Sequence, residues 1–392
     1  MDIELERAYD SLAAWCRNHN YAGYDPFDAL NSRLFQATPF KHSRTARIIW
    51  TQLFKRSPVN FRKIARVPTG RNAKGTALFA LAALANFRRV RTEEAETEAR
   101  RLLDDLLSAR LEGWSGAAWG YNFDWQSRAF FAPPGTPTIV PTAFAARALV
   151  EASQAFDDES YAKHARSVSD FILRDLQRSD ETEREVCFSY TPLDQSRIFN
   201  ASLLAGETLA SIGALNDEPE LIEWSLKTAR YVIRHQRADG SWAYGPAQSH
   251  AWVDNFHTAF VLISLTRINA VCSDAAESST LLNAIRRGYE FWRKQFFVAD
   301  GWPKYYHHKL YPVDVHSAAS AIVALVELQK IDDAALTLAE QVARWTVHHL
   351  YDGRGFFYYQ RRRFYTVRTP YIRWGQAWMM YGLARLLEES GR

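Results

Sequence analysis

The stretch Asn200-Ala-Ser-Leu-Leu-Ala-Gly-Glu-Thr-Leu-Ala decides the fold, because five similar Ala-rich segments accompany it. The other segments begin at Gly75, Pro141, Asn255, Val315 and Trp374. Successive starts lie roughly 55–66 residues apart, which is enough chain for two helices and their connections. Small residues all along the six segments suit close packing on several sides, as an inner ring of helices requires.

Segments of a different character lie between them. The stretch that begins at Trp224 carries charged residues on one face, which is typical of an outer helix. The alternation predicts an all-α fold, an (α/α)6 toroid of about six helical hairpins. A closed array of repeats can exceed the usual domain size, so we expect residues 1–392 to form a single domain.

The connections from outer to inner segments are rich in glycine and aromatic residues. Three of them contain an Asp-Gly pair, at Asp239, Asp300 and Asp352, which indicates a tight turn. The aromatic alternation after these pairs predicts short β-hairpins. Because all these connections join an outer to an inner helix, we expect them to emerge on one face and to surround one central cleft.

The composition of the chain indicates its cellular compartment. Hydrophobic residues make up 47% of it, yet no stretch approaches the ~20 apolar residues of a membrane helix. The N-terminus lacks the basic start and apolar run of a secretory signal. Cys16, Cys187 and Cys272 are too few and too far apart for a disulfide framework or a cysteine zinc site. These features predict a cytoplasmic protein.

Charge and motif content argue against several classes of partner. The formal net charge is only +4, although Lys55–Arg56 with Arg62–Lys63, and Arg361–Arg363, form basic clusters. Short clusters favour a solvated face, so we expect no nucleic-acid partner. The stretch that begins at Pro68 lacks the Lys-Ser/Thr end of a phosphate-binding loop, and the histidines lack metal-site spacing. We expect no cofactor and no metal; the oligomeric state stays open.

The segment Gln236-Arg-Ala-Asp-Gly-Ser-Trp242 resembles the repeat motif of terpenoid cyclases, a branch of the α/α-toroid superfamily. That superfamily includes six-hairpin glycosidases, polysaccharide lyases and sugar epimerases. The stretches that begin at Gly23 (Gly-Tyr-Asp-Pro-Phe-Asp) and Pro370 (Pro-Tyr-Ile-Arg-Trp-Gly-Gln-Ala-Trp) are similar to uncharacterised toroid proteins linked to bacterial surface-polysaccharide synthesis. The resemblance implies a toroid that acts on carbohydrate.

Cyclase chemistry does not follow from the motif. The chain has no Asp-x-Asp-Asp proton donor and no Asp-Asp-x-x-Asp diphosphate site; the pairs that begin at Asp104, Asp157 and Asp332 all lack the third aspartate. Cys272 has no ligand set for a prenyltransferase zinc. An isoprenoid-binding protein is therefore the weakest alternative.

Residues suited to sugar binding cluster in the aromatic connections and at the inner-helix starts. Indole and phenol rings stack on sugar faces, although the same rings also serve to pack hairpins together. The candidates for substrate binding are Trp119, Tyr121, Trp125, Tyr190, Asp194, Asn200, Trp242, Tyr244, Trp252, Trp302, Asp314 and Trp374.

The catalytic candidates combine carboxylate, imidazole, phenol and guanidinium groups: Asp124, Asp254, His257, Tyr305, His316 and Arg373. The three-residue spacing of Asp254 and His257 places both on one helical face, where Asp254 also suits an N-cap. Asp124 has no evident capping role and is the preferred carboxylate. Tyr305 suits a base beside a uronate, and Arg373 suits bidentate binding of its carboxylate.

These residues predict a carbohydrate-active enzyme of polysaccharide biosynthesis whose partner is an acidic oligosaccharide or polysaccharide. Hydrolysis, β-elimination and uronate epimerisation remain open at this stage. The competing hypothesis is a non-catalytic glycan-binding or assembly factor that uses the same cleft.

Overall fold

A computed structural model describes residues 2–127 and 130–391. The α-helices of this part of the chain are α1 (Ile3–Asn18), α2 (Arg33–Gln36), α3 (Arg44–Arg56), α4 (Ala73–Val90), α5 (Glu93–Ser108), α6 (Ile139–Phe156), α7 (Glu159–Arg174), α8 (Phe199–Leu215), α9 (Pro219–Arg234), α10 (Asn255–Ala270), α11 (Ala275–Phe296), α12 (Val315–Leu328), α13 (Ala334–Leu350) and α14 (Trp378–Ser390). A π-helical segment, Ile372–Ala377, leads directly into α14.

Six of these helices form a closed inner ring in the order α4, α6, α8, α10, α12, α14, with α14 packed back against α4. Each of the first five packs against the outer helix that follows it, and α14 packs against α1. The N-terminal helix thus completes the sixth hairpin. This arrangement confirms the predicted (α/α)6 toroid.

The predicted inner-helix starts lie within two residues of the observed ones, because the Ala-rich runs coincide with the buried helices. Asn72, Asp254 and Asp314 cap three of these helices by accepting hydrogen bonds from backbone N–H groups of the first turn. None of the described helices is long and apolar enough to cross a bilayer.

A repeated backbone contact joins neighbouring hairpins. The first N–H of α6, α8, α10 and α12 donates to the carbonyl oxygen of a tyrosine in the next connection: Tyr190, Tyr244, Tyr305 and Tyr359 respectively. The first N–H of the π-helical segment donates likewise to the carbonyl of Tyr24. Helix starts have unsatisfied N–H groups, so these bonds satisfy one donor and fix each connection to its neighbour.

The short strands lie in the connections. They are β1 (Trp125–Gln126), β2 (Phe131–Ala132), β3 (Arg178–Glu181), β4 (Val186–Phe188), β5 (Val313–Asp314), β6 (Gln360–Arg361) and β7 (Thr366–Val367). They pair antiparallel as β1–β2, β3–β4 and β5–β6–β7.

These strand pairs confirm the predicted short β-hairpins in the connections, although the pairing does not begin directly at the Asp-Gly turns. Gly240, Gly301 and Gly353 do adopt positive φ angles of 90°, 82° and 79°, as tight turns require. Isolated bridges such as Tyr351 with Phe357 lie beside these turns, and the paired strands follow further along the connections, as β6 and β7 do after Gly353.

An excursion between α1 and α4 departs from the repeat. Residues 19–72 form 3-10 turns at Asp28–Asn31 and Pro39–His42, together with α2 and α3, where the other repeats have a short return. Phe54, Ala65 and Val67 are buried in a small core of their own, apart from that of the ring. The excursion covers one side of the ring's open end, where Gln52 and Lys55 of α3 face the central cleft.

Candidate functional site

The central cleft has a volume of about 830 Å³ and is lined by residues from α4, α6, α8, α10, α12 and the π-helical segment that leads into α14. One position recurs in its wall, the second residue of each inner helical element. These residues are Lys74, Val140, Asn200, Phe256, His316 and Arg373. Since each inner helix begins at the cleft, all six N-terminal ends point towards it. Helix N-termini carry partial positive charge and unsatisfied N–H groups, so the cleft favours an anion.

Asp254 and His257 form a hydrogen-bonded pair at the start of α10. Asp254 accepts from the His257 backbone N–H at 3.0 Å and from its Nδ1 at 2.7 Å. The indole N–H of Trp252 donates to the same carboxylate at 3.0 Å. The carboxylate is an acceptor, so it places the proton on Nδ1 and leaves Nε2 of a neutral His257 to act as base. Asp254 is therefore both the helix cap and the group that orients the imidazole.

His316 lies one helix further round, almost fully buried yet in the cleft wall. Neither ring nitrogen has a hydrogen-bond partner among the described residues. Its ring packs near Trp374, with centroids 4.2 Å apart, and near Phe256 at 4.8 Å. Burial, reinforced by the charge of Lys74, holds the pKa of His316 well below its usual value. The imidazole is therefore neutral and available to a ligand.

Lys74 lies at the start of α4 and is buried. Its Nζ lies over the rings of Phe144, Trp378 and Phe260, at 4.7, 5.2 and 5.3 Å from their centroids. Among the described residues, no carboxylate forms an ion pair with the Lys74 side chain. Burial holds the pKa of Lys74 well below its usual value, and Arg373 adds to the effect. An anion in the cleft would restore the ammonium form.

Lys55 and Arg373 approach the cleft from α3 and from the π-helical segment. Nζ of Lys55 lies 4.2 Å from the ring centroid of Phe27, and burial lowers the pKa of Lys55 to about 8. Arg373 binds Asp25 through two parallel hydrogen bonds of 2.7 and 2.8 Å. The Asp25 carboxylate is therefore engaged, and it holds the guanidinium in a fixed orientation beside the cleft.

Four tyrosines complete the polar part of the wall: Tyr121 and Tyr190, which are buried, and Tyr244 and Tyr305, which are partly buried. Burial raises the pKa of each phenol. These groups remain protonated at neutral pH, so they suit hydrogen-bond or proton donors. The expectation that Tyr305 acts as a base does not fit this environment.

The structure brings most of the predicted site residues together. Among the catalytic candidates Asp254, His257, Tyr305, His316 and Arg373 line the cleft. The binding candidates that line it are Tyr121, Trp125, Tyr190, Asn200, Tyr244, Trp252 and Trp374. Two lysines that sequence reasoning missed, Lys55 and Lys74, belong to the same wall. Lys55 belongs to a basic cluster that the sequence favours as a solvated face, and only the position of Lys74 at a helix start could have indicated its role.

Asp124, Trp119 and Asp194 lie outside the cleft. Asp124 is covered by the excursion, where Gln36 donates to its carboxylate at 3.0 Å. Trp119 is fully buried, and its indole N–H donates to the Leu106 carbonyl oxygen at 2.7 Å. Asp194 accepts hydrogen bonds from Thr191 and Ser196 within its own turn. Each of these side chains thus stabilises the conformation of a connecting segment through its hydrogen bonds.

Trp242, Trp302 and Asp314 also face away from the cleft. Trp242 donates to the Val232 carbonyl oxygen at 3.0 Å and packs so close to Gly288 that a side chain there would clash. Trp302 stacks on Trp345 of the outer helix α13. Asp314 caps α12 and accepts from the indole N–H of Trp374 at 2.9 Å. The cyclase-like motif that ends at Trp242 is therefore architectural here.

The charge balance of the cleft wall is uneven. Its described residues include Lys55, Lys74, Arg237, Lys309 and Arg373, but Asp254 is their only carboxylate. No group of three or more His, Cys, Asp or Glu in the described ranges is arranged to hold a metal ion. The arrangement can bind an anion and move protons.

Comparison with known proteins identifies the fold. No protein-family model matches the sequence, and a search of curated proteins likewise finds no match. Solved structures do match. A sugar epimerase from a ruminal bacterium is 12% identical with a TM-score of 0.64, over 82% of this chain and 88% of that one.

Two glycoside-cleaving enzymes give similar values. A GH76 α-mannanase from Bacteroides thetaiotaomicron is 12% identical with a TM-score of 0.62, over 81% of this chain and 86% of that one. An unsaturated glucuronyl hydrolase specific for heparin is 14% identical with a TM-score of 0.59, over the same shares. At such identities the likeness is one of fold.

Proposed function

We propose that the protein is a carbohydrate-active enzyme that moves a proton on an acidic saccharide, by uronate epimerisation or β-elimination. The observation that carries this proposal is the oriented Asp254–His257 pair in a cleft whose other charged groups are cations. The similar structures, which include a sugar epimerase and a glucuronyl hydrolase, support a saccharide as substrate. Polysaccharide synthesis, suggested by the sequence resemblance, is the setting we propose for it.

The wall of the cleft supports an acidic rather than a neutral substrate. Lys55 and Lys74 lie there without carboxylate partners in the described structure, and six helix N-termini point the same way. A uronate carboxylate would raise the pKa of both ammonium groups and offset the cost of their burial. Tyr244, Trp252 and Trp125 offer aromatic faces for the sugar rings.

The carboxylate content argues against hydrolysis. Glycosidases of the common type need two carboxyl groups, one on each side of the bond that breaks. Asp254 is alone in this role among the described cleft residues, and its carboxylate is already held by His257 and Trp252. An isoprenoid ligand is also disfavoured, because ammonium groups in the wall would repel a carbocation.

Proton transfer fits the remaining groups. The hydrogen next to a uronate carboxylate becomes acidic when cations stabilise the enolate that forms as it leaves. His257 Nε2 would take this proton, since Asp254 accepts from Nδ1–H and thereby orients the imidazole. A tyrosine phenol of the wall would then return a proton to carbon in epimerisation or to the departing oxygen in elimination.

The test is exchange of carbon-bound hydrogen in D2O. Wild-type protein with uronate oligosaccharides should remove the hydrogen from the carbon next to the carboxylate, and ¹H NMR would follow the loss of its signal. Epimerisation replaces that hydrogen with deuterium, whereas elimination leaves a double bond at the same carbon. His257→Gln should lose about 100-fold or more of this rate, since a positioned acid–base group contributes about 10²–10⁴-fold. His348→Gln, an exposed histidine on α13, is the matched control and should retain full activity.

The two reactions are separated in the same samples. Epimerisation gives a new sugar configuration, whereas elimination gives the ultraviolet absorbance of an unsaturated uronate. Binding with neither exchange nor elimination on any acidic saccharide would contradict the enzyme proposal and favour a binding protein. Equal exchange on neutral saccharides would contradict the acidic substrate.

A further inference from the structure

The excursion contains a stretch of unusual charge, residues 33–66, which we call the basic arm. It includes nine lysines and arginines and no Asp or Glu; the rest of the chain has 39 basic and 44 acidic residues. Such separation of charge is a property of surface recognition rather than of folding. The arm is thus a strongly cationic region on an otherwise slightly acidic protein.

The basic arm also exposes large apolar side chains: Phe40, Ile49, Leu53, Val59 and Ile64. Ile49 is 62% exposed, and Leu53 follows it by one turn on the same face of α3. Isolated exposed apolar residues are ordinary, but several within one short segment mark an interaction surface.

The fold does not need these side chains. The buried face of α3 uses Thr51 and Phe54, while Gln52 and Lys55 face the cleft. Ile49 and Leu53 lie on the remaining face, which contributes nothing to either core. That face lies next to the residues of α3 that line the cleft. A partner bound to it would therefore lie close to the cleft mouth.

The loop between β6 and β7 extends the same surface. It contains Arg361-Arg362-Arg363-Phe364, and Phe364 is among the most exposed side chains of the described chain. The hydroxyl of Tyr365 donates to the Arg56 carbonyl oxygen at 3.1 Å, which joins this loop to the end of α3. Two basic clusters about 300 residues apart in the sequence therefore lie side by side.

We propose that the basic arm and the β6–β7 loop together form a surface that docks on an anionic lipid bilayer. Aliphatic side chains enter the interface between headgroups and acyl chains, while surrounding lysines and arginines attract the acidic headgroups. This mode of binding needs no membrane-crossing helix. A nucleic acid would match the charge but offers nothing for Ile49, Leu53 and Ile64 to bury against.

Docking would place the cleft mouth close to the membrane. Gln52 and Lys55 line the cleft from the same helix that presents Ile49 and Leu53. A substrate attached to a lipid would then reach the cleft without leaving the bilayer surface. This inference concerns the surface and holds whether or not the proposed reaction is correct.

The experiment is co-sedimentation of the full chain with vesicles. We expect binding to phosphatidylcholine vesicles that contain phosphatidylglycerol, little binding to phosphatidylcholine alone, and weaker binding as salt increases. The double variant Ile49→Ser with Leu53→Ser should bind about tenfold more weakly or worse, since two buried aliphatic side chains are lost. Ile3→Ser is the matched control, because Ile3 is 64% exposed on α1, and should bind as wild type.

A second pair separates charge from apolar contact. Lys63→Gln with Arg363→Gln should weaken binding to anionic vesicles, and circular dichroism should show all variants folded. Absence of vesicle binding overturns the proposal, as does full binding by the Ile49 and Leu53 variant. Tighter binding to duplex DNA than to vesicles would assign the surface to nucleic acid instead. Self-association lost in the Ile49 and Leu53 variant, without vesicle binding, would assign it to a second copy.

Discussion

The two ends of the inner ring differ in whether their buried charged side chains are paired with groups of opposite charge. At the end away from the cleft, ion pairs join all six inner helices in one circuit. Its members, in contact order, are Glu151, Arg88, Glu388, Arg385, Glu327, Arg267, Glu207 and Arg147. The first and last both belong to α6, one turn apart, so the circuit runs right round the axis.

At the cleft end Arg373 is paired with Asp25, but the two lysines of the wall lack such a partner in the described structure. Lys55 and Lys74 form no ion pair with a described carboxylate, and the pKa of each is lowered by burial. In the circuit, Arg267 and Arg385 hold the pKa of Glu327 down at about 2 despite its burial. Burial thus opposes charge at both ends, but Lys55 and Lys74 lack the paired carboxylates that compensate for it in the circuit. At the cleft end, a bound anion would supply the compensating charge for these two lysines.

The largest effect we expect comes from breaking the circuit. Glu207→Gln leaves Arg147 and Arg267 facing each other without their shared carboxylate, which should lower the free energy of unfolding by about 3–5 kcal/mol. Urea denaturation measures this value. Glu159→Gln, whose partner Lys163 lies at an exposed surface, should change it by no more than about 0.5 kcal/mol. If the two substitutions changed the free energy of unfolding equally, the ion circuit would not be a stabilising element of the ring.

Removing a cation at the cleft end should have the opposite sign. Lys74→Met keeps the length of the side chain and removes the cost of burying an amine, so the free energy of unfolding should rise by about 1 kcal/mol near neutral pH. Because the folded pKa of Lys74 is lowered, the unfolded state binds more protons, and wild-type stability should rise with pH up to about 10.4. That rise should be smaller in the variant.

The same substitution should weaken the binding of an acidic saccharide about tenfold, which calorimetric titration would measure. Lys163→Met on the outer helix α7 serves as control and should alter neither stability nor binding appreciably. A destabilised Lys74→Met protein would show that this lysine builds the ring rather than awaiting a ligand.

The smallest effect concerns Lys55 and pH. Its pKa of about 8 means that the ammonium form predominates below that value and is lost above it. Affinity for an acidic saccharide should therefore be highest below about pH 8 and fall a few-fold as the pH rises through it. Lys55→Arg keeps the charge, so this step should disappear. A step that persists in the variant would assign the titration to another group.

The ring was predictable from the sequence, whereas the distribution of charge within it was only partly so. Ala-rich runs such as the one at Asn200 encode buried helices locally, and their recurrence encodes closure. The Asp254–His257 pair was also visible, because a helix start fixes the relative position of residues three apart.

Other features depend on contacts between distant segments. Nothing near Asp124 in the sequence reveals that Gln36 covers it, and nothing near Trp242 reveals Gly288 of the next hairpin. Local sequence also gave no sign that Lys55 would reach the cleft from α3. One feature of the sequence does indicate that the excursion has a separate function. No acidic residue occurs between Asp28 and Glu93, so the charge of this region differs from that of the rest of the chain.

The packing of α14 against α1 has a consequence for how the protein folds. The sixth hairpin joins helices from the two ends of the described chain, so it forms only after the five others have been synthesised and brought into register. The ion circuit likewise stays open until α14 supplies Arg385 and Glu388. Contacts between such distant segments form late, because the chain between them must first lose its freedom. We therefore expect ring closure to be a late step in folding.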